Sequence, residues 1–514
     1  MPEPSSASRR PYFPDSVLLD PFVHLAPPLK NATTASTTTS ALSPIEVSFE
    51  VVDPPGLSRC FVNCSALDAG DLSAPAVVTG ADGAFLLIRV AFPRRDDREM
   101  HTDVFIYKAA GPGKPSLHLL PRPYPAGLYS DHVGVLSCGD GHYLVVVPER
   151  RFDGGGRMRY DLQVFSSETN SWTTRTARVA SDLEGCYRLL PQHEPSKVFS
   201  VGDSLAWVAT YLGVLLCDVL GKDPEMRLID LPPLMPTNRV DLGGGFVAPV
   251  RSMRAARDVI CKDGWIRCIE IEYPLWSNKF NPMEFRWTAM ISKRNLFGSD
   301  IWEAFTVDSA SLSPTSSCFP DLFPEIWDSS RDRLTLNRVI STAPILDAYH
   351  DNVVFMKTKL HPGHPNGWVL AVDTRNKKLV RAVPFSARKV YLNHSYLQCD
   401  FSKYLCKTLE ERLSQKRSCY LEAQSLLHSG FASILYANIQ ELARYATSNG
   451  LGEVATEAVT VFLLAYKEVD YLLSRDLSND PSACDETMRE KIGIAIGALD
   501  RRYHLKYCGL GEAP

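Results

Sequence analysis

The sequence has no Cys-x-x-Cys pair anywhere, which removes the usual half-sites of zinc ribbons and dithiol redox centres. Its 13 cysteines in 514 residues are too sparse for a disulfide scaffold, and the number is odd. Most lie within apolar runs, such as Cys217 in Val-Leu-Leu-Cys-Asp and Cys268 in Ile-Arg-Cys-Ile, where a free thiol acts as a small hydrophobe. Cys60 and Cys64 are four apart with no second pair, and His361 and His364 lack a third ligand nearby. No metal site is expected.

Charge of one sign is also missing. A net charge of -4 and scattered basic pairs (Arg9-Arg10, Arg94-Arg95, Arg150-Arg151) give no basic patch for nucleic acid. No apolar run approaches bilayer length, and the first ten residues lack the apolar segment of a secretory signal. The expectation is an intracellular protein, cytoplasmic or nuclear, with free thiols. The sequons at Asn31, Asn63 and Asn393 then have no glycosylation role.

Catalytic motifs are absent too. There is no Gly-x-Ser-x-Gly elbow and no His-Glu-x-x-His. Gly111-Pro-Gly-Lys-Pro-Ser116 lacks the first glycine of a phosphate loop and has Pro115 where Ser or Thr should stand. The runs Gly154–Gly156 and Gly243–Gly245 read as loop tips, and no local His–carboxylate pairing marks an acid–base couple. No cofactor is expected, and no catalytic residue is singled out.

What is present is a weak repeat. Asp82-Gly83, Asp140-Gly141, Asp203-Ser204, Asp263-Gly264 and Asp351-Asn352 each separate two β-prone runs, at spacings of 58, 63, 60 and 88. These dipeptides tolerate the positive φ of tight hairpins. The strands expected after them are Ala84–Ala91, His142–Val147, Leu205–Thr210, Trp265–Glu272 and Val353–Thr358. A second hairpin follows each: Asp103–Pro121, Leu162–Ala177, Val214–Pro232, Arg286–Val307 and Trp368–Pro384. Two hairpins make a four-stranded unit that cannot bury its faces alone, so several must stack. The fold class expected is mainly β with an α-helical C-terminal region: a β-propeller-like repeat of four-stranded units, with a β-sandwich pair as the alternative, plus a small helical bundle. The long last gap holds either an insertion around Pro314–Asp332 or a degenerate extra unit.

Residues 1–16 are Pro/Ser-rich and read as a disordered terminus, and composition alone makes Asn31–Ser43 a linker. Ile45–Ser65 alternates like two strands around Pro54-Pro55-Gly56. Beyond Pro384 the period becomes helical. Leu405, Leu409, Leu413, Leu427, Phe431, Ile434, Leu435 and Leu442 form one stripe, with Asn449-Gly450 as a C-cap; Val454 to Leu472 form a second. A third begins at Ser482-x-x-Asp485 and carries Met488, Ile492, Ile496, Leu499 and Tyr503. The domains expected are 1–16, 17–400 and 401–514.

Val17-Leu-Leu-Asp20, Asn31-Ala-Thr-Thr-Ala-Ser-Thr-Thr-Thr-Ser40, Ile45-Glu-Val-Ser-Phe49 and the segment Arg257–Ile271 resemble a family of grass proteins known as domain of unknown function 1618. The resemblance spans roughly residues 17–400, with Ser402-Lys-Tyr-Leu405 near its end. It implies a flowering-plant source and places residues 17–43 inside the folded unit. It implies no activity and supplies no catalytic residue. Plant propellers often follow an F-box, and the proline-rich start here is too short for one.

The leading expectation is a noncatalytic protein-interaction platform, meeting other proteins through a propeller face or the helical tail, without nucleic acid or membrane and with no signature of oligomeric state. The alternative is a hydrolase or lyase whose carboxylates converge on a propeller axis from separate units.

Overall fold

A computed structural model of the chain describes residues 13–405, apart from 28, 66, 68–75, 94–99, 110–113, 130–132, 153–157, 181–192, 244–245, 251, 273–285, 297, 299–300, 315–326, 329–332, 335, 337–338, 361–363, 365 and 387–395. The chain divides into two compact units, Met1–Cys406 and Lys407–Pro514. The expected helical tail and bundle, the first twelve residues of the terminus expected to be disordered over 1–16, and the expected loop tip at Gly154–Gly156 lie outside the described residues. Phe13 packs against the hydrophobic core and Ser16 is buried, so the expected disorder does not reach them.

The described part is mainly β. Five antiparallel meanders follow one another: Val77–Asp82 to Ser116–Leu119, Gly134–Ser137 to Ser171–Val179, Lys197–Val201 to Glu225–Asp230, Arg257–Lys262 to Glu303–Asp308, and Ile340–Leu346 to Lys378–Ser386. We number these sheets second to sixth. The first sheet is built from both ends of the unit. Ala35–Thr38, Pro44–Glu50 and Leu57–Cys64 pair in turn, Val17–Leu25 lies parallel to Leu57–Cys64, and Leu397–Cys399 pairs antiparallel with Val17–Leu25. Asn31–Ser43 is therefore no linker, since Ala35–Thr38 is a strand paired with Pro44–Val47. Thr33 is buried there, and its carbonyl accepts the Tyr107 hydroxyl at 2.8 Å.

All five Asp-containing turns occupy the same place, between the first and second strands of sheets two to six. The backbone explains the residue choice. Asp140 and Gly141 have φ of 45° and 80°, and Asp263 and Gly264 have 51° and 75°. Such values are strained for side chains with a branched Cβ. Gly264→Val is accordingly expected to cost about 1–3 kcal/mol in denaturant unfolding. An unchanged midpoint would remove the requirement.

Each sheet buries one face against the next. Val47 and Tyr107 join sheets one and two, Leu87 and Val145 two and three, Leu162 and Trp207 three and four, Val208 and Val259 four and five, and Ile269 and Met356 five and six. Leu18, Phe355 and Val369 then join the sixth sheet to the first. Six interfaces in cyclic order differ from the single interface of a sandwich pair. The long gap before Asp351 holds Ser313–Pro314, paired to Lys378–Leu379, and a two-stranded piece, Trp327–Asp328 with Arg333–Leu334. Phe401–Leu405 forms a 3₁₀ turn, with Phe401 buried between the first two sheets.

Candidate functional site

The first strands of sheets three to six are edge strands, that of sheet two pairs with Val17–Leu25 only at Phe22 and Val77, and these five strands lie beside one another. Polar side chains on them meet across sheet boundaries. Asp82 accepts from the Ser137 N–H at 2.6 Å and the Ser200 hydroxyl at 2.5 Å, so one carboxylate ties sheets two, three and four. Buried Asp258 accepts from Lys197 Nζ at 2.9 Å and the Leu346 N–H at 3.0 Å, tying sheets four, five and six. Asp347 accepts from Gln398 Nε2 at 3.0 Å and the Tyr349 N–H at 2.8 Å, and its other oxygen lies 2.8 Å from His350 Nδ1. Gln398 Oε1 in turn accepts the Ala348 N–H, which fixes the closing strand to the sixth sheet.

Carboxylates from separate sheets are what the hydrolase or lyase alternative requires. Their chemistry points elsewhere. Both oxygens of Asp82, Asp258 and Asp347 are bonded to groups of the chain itself. Burial pushes the Asp82 carboxyl up, and its bonds to Ser200 and Ser137 oppose the rise. Burial likewise raises the Tyr349 phenol, with the Asp400, Asp347 and Asp82 carboxylates adding to it. Arg267, nearly buried, donates to the carbonyls of Asp347 and Asp351, both at 2.8 Å. Among the described residues no group of three His, Cys, Asp or Glu could hold a metal ion.

A second polar network lies in the segment that carries the family resemblance. Arg257 and Glu270 form a fully buried ion pair at 3.2 Å. Arg257 also donates to the carbonyls of Thr210 and Pro232, and Glu270 Oε1 accepts from the Met235 N–H and from Asn238 Nδ2, each at 2.8 Å. These groups hold the start of a two-stranded ribbon, Arg239–Gly243 with Phe246–Pro249, which pairs with no other strand among the described residues. Every residue of Arg239–Gly243 is exposed, and Leu242 (68%) and Val247 (53%) are apolar.

Two further clusters have partners too distant in sequence to be read locally. Ser40 Oγ lies 2.5 Å from His101 Nε2 and 3.0 Å from buried Asp103, which Arg122 also pairs at 3.1 Å. The same His101 nitrogen lies 3.2 Å from Asp103, so the imidazole does not relay between the two; Ser40 N–H also bonds Asp103, as a loop clasp would. Elsewhere Lys357 is buried with its ammonium 3.9 Å from the centre of the Tyr396 ring. Burial pulls its pKa down to about 7, against the opposing pull of Asp20.

His364 of the histidine pair is described, and His361 is not. The seven described cysteines, Cys60, Cys64, Cys138, Cys217, Cys261, Cys268 and Cys399, are free. No helix among the described residues is long and apolar enough to cross a membrane.

Arg257 and its partners stand in the middle of the stretch that known families recognise. Residues 207–355 match the family "Protein of unknown function (DUF1618)". That match is narrower than the resemblance drawn from the sequence, and residues 401–502 match "Domain of unknown function (DUF7880)". No curated protein matches the chain. Among solved structures, a chain of the Mitotic Checkpoint Complex is 9% identical with a TM-score of 0.23, over 59% of this chain and 61% of that one. A glycosyl hydrolase from Bacteroides ovatus is 10% identical with a TM-score of 0.25, over 59% of this chain and 85% of that one. An ancestral GH74 enzyme is 10% identical with a TM-score of 0.26, over 71% and 59%. Likeness at this level carries no argument about activity.

Proposed function

We propose that the six sheets are the blades of a β-propeller that serves as a noncatalytic protein-interaction platform, with the ribbon Arg239–Pro249 as its contact element. The observation that carries this reading is the contrast within that ribbon. Its base is pinned by a buried ion pair and Asn238, while its strands present apolar side chains and unpaired edges to solvent. An exposed apolar strand edge invites pairing with another chain, and proteins normally cover, shorten or charge such edges. The occupant that fits is an extended segment of another protein, which adds a strand to the ribbon through main-chain hydrogen bonds. The bonded state of the three axial carboxylates counts against a hydrolase or lyase at the axis. An intracellular place of action and a grass source accompany this reading.

The test is a paired affinity isolation with Leu242→Asp/Val247→Asp beside the wild type. Surface changes away from buried features usually alter stability within about 0.5 kcal/mol, so both proteins should melt alike. Partners held by the ribbon should be depleted at least tenfold from the variant, and a purified partner should lose affinity to match. Retention of the same partners at equal affinity would overturn the assignment.

A further inference from the structure

Where the sixth sheet meets the first, a half-open cavity of about 420 Å³ lies between the turn after Glu50 and the last two strands of the sixth sheet. That volume falls within the range of small-molecule sites. Val369 and Phe385 contribute apolar wall. Four charged residues, Glu50, Asp53, Arg59 and Arg381, also line it. Arg59 and Glu50 neutralise one another at 3.4 Å. Asp53 and Arg381 do not: no ion pair joins them, and among the described residues the Asp53 carboxylate makes no hydrogen bond. Among the described residues Arg381 has one hydrogen bond, to the Pro54 carbonyl at 3.5 Å, the outer limit of such a contact.

An anion and a cation that share a cavity without pairing, beside an apolar wall, match a ligand carrying both charges and an apolar group. We propose that this cavity binds a free α-amino acid with an apolar side chain, its carboxylate on Arg381, its ammonium on Asp53 and its side chain on Val369 and Phe385. A peptide terminus presents only one of the two charges, so it would leave either Asp53 or Arg381 unanswered. This inference is independent of the ribbon.

The experiment is calorimetric titration of the full chain with L-phenylalanine and L-leucine. N-acetyl-L-phenylalanine removes the ammonium, and L-phenylalaninamide removes the carboxylate. At least one free amino acid should bind, and each blocked form should bind about ten- to a hundredfold more weakly, as loss of a charged hydrogen bond requires. Arg381→Gln and Asp53→Asn should weaken the free amino acid similarly. Because both line the seam between two sheets, each is checked for an unchanged melt, and each should leave binding of the form that lacks its partner charge unaltered. Absence of binding by both amino acids at about 10 mM, equal binding of a blocked form, or unchanged affinity in both variants would overturn the proposal.

Discussion

Phe401→Ala is expected to destabilise the β unit by about 3–5 kcal/mol, the usual cost of emptying a large buried aromatic site. Phe401 is fully buried, its ring 4.9 Å from that of Phe49 and 6.2 Å from that of Tyr107. It thus plugs the core shared by the first two sheets although it follows the last strand. Two shortened chains make the same point. One ending at Cys406 keeps Phe401 and Leu405, whereas one ending at Asp400 loses both. The shorter chain is expected to melt several degrees below the longer one, or to be insoluble. Equal melting of the two would show that the 3₁₀ turn contributes nothing to the core.

The second large effect is a gain. The Lys357 amine has its pKa pulled down to about 7, first by burial, with Lys359 adding to this and Asp20 opposing. In the unfolded chain it titrates near its ordinary 10.5. A base with a depressed folded pKa binds more protons unfolded than folded between those two values, so folding becomes more favourable as pH rises from about 7 to 10.5. Below pH 7 the cost of burying the charge applies in full. Lys357→Met keeps the length and removes the amine, but it strips buried Asp20 of a neighbouring cation, so the gain is read in Asp20→Asn/Lys357→Met. The Phe22 N–H bond that Asp20 accepts at 3.0 Å survives in asparagine. Replacing buried charges by neutral groups of similar volume often stabilises. At pH 6 the double variant is expected to gain on the order of 3–5 kcal/mol over wild type in urea unfolding. The gap should narrow between pH 7 and 10.5. A pH-independent difference, or a loss at pH 6, would contradict the assignment.

The parts legible in the sequence were those fixed by local chemistry. Asp263-Gly264 marks a hairpin because few other dipeptides accept φ of 51° and 75°, and Trp265–Glu272 is the strand the sequence delimits. The first sheet was not legible as a repeat, because it lacks such a turn and takes strands from residues 17–25 and 397–399. No local pattern announces a pairing across some 380 positions. Composition misread Asn31–Ser43, since its threonines suit a linker and a strand equally. The polar clusters were hidden for a similar reason. Ser200 lies 118 residues from Asp82, and Lys197 lies 61 from Asp258, so only the cyclic order of the sheets brings them together. Arg257 and Asp258 illustrate what family likeness can and cannot say. They fall in the most distinctive stretch, and the structure gives both a role in joining sheets.

Residues near the two ends of the β unit close the ring of six sheets. Val17 and Cys399 are direct antiparallel partners and both are buried in the same core. Directly opposed Cβ atoms lie close to the span a disulfide needs. Val17→Cys, folded and then mildly oxidised, is expected to form an intramolecular bond between residues 17 and 399, identified by mass spectrometry of unreduced peptides. A bond from residue 17 to any other cysteine of the same chain, or only to a second chain, would contradict the closed arrangement.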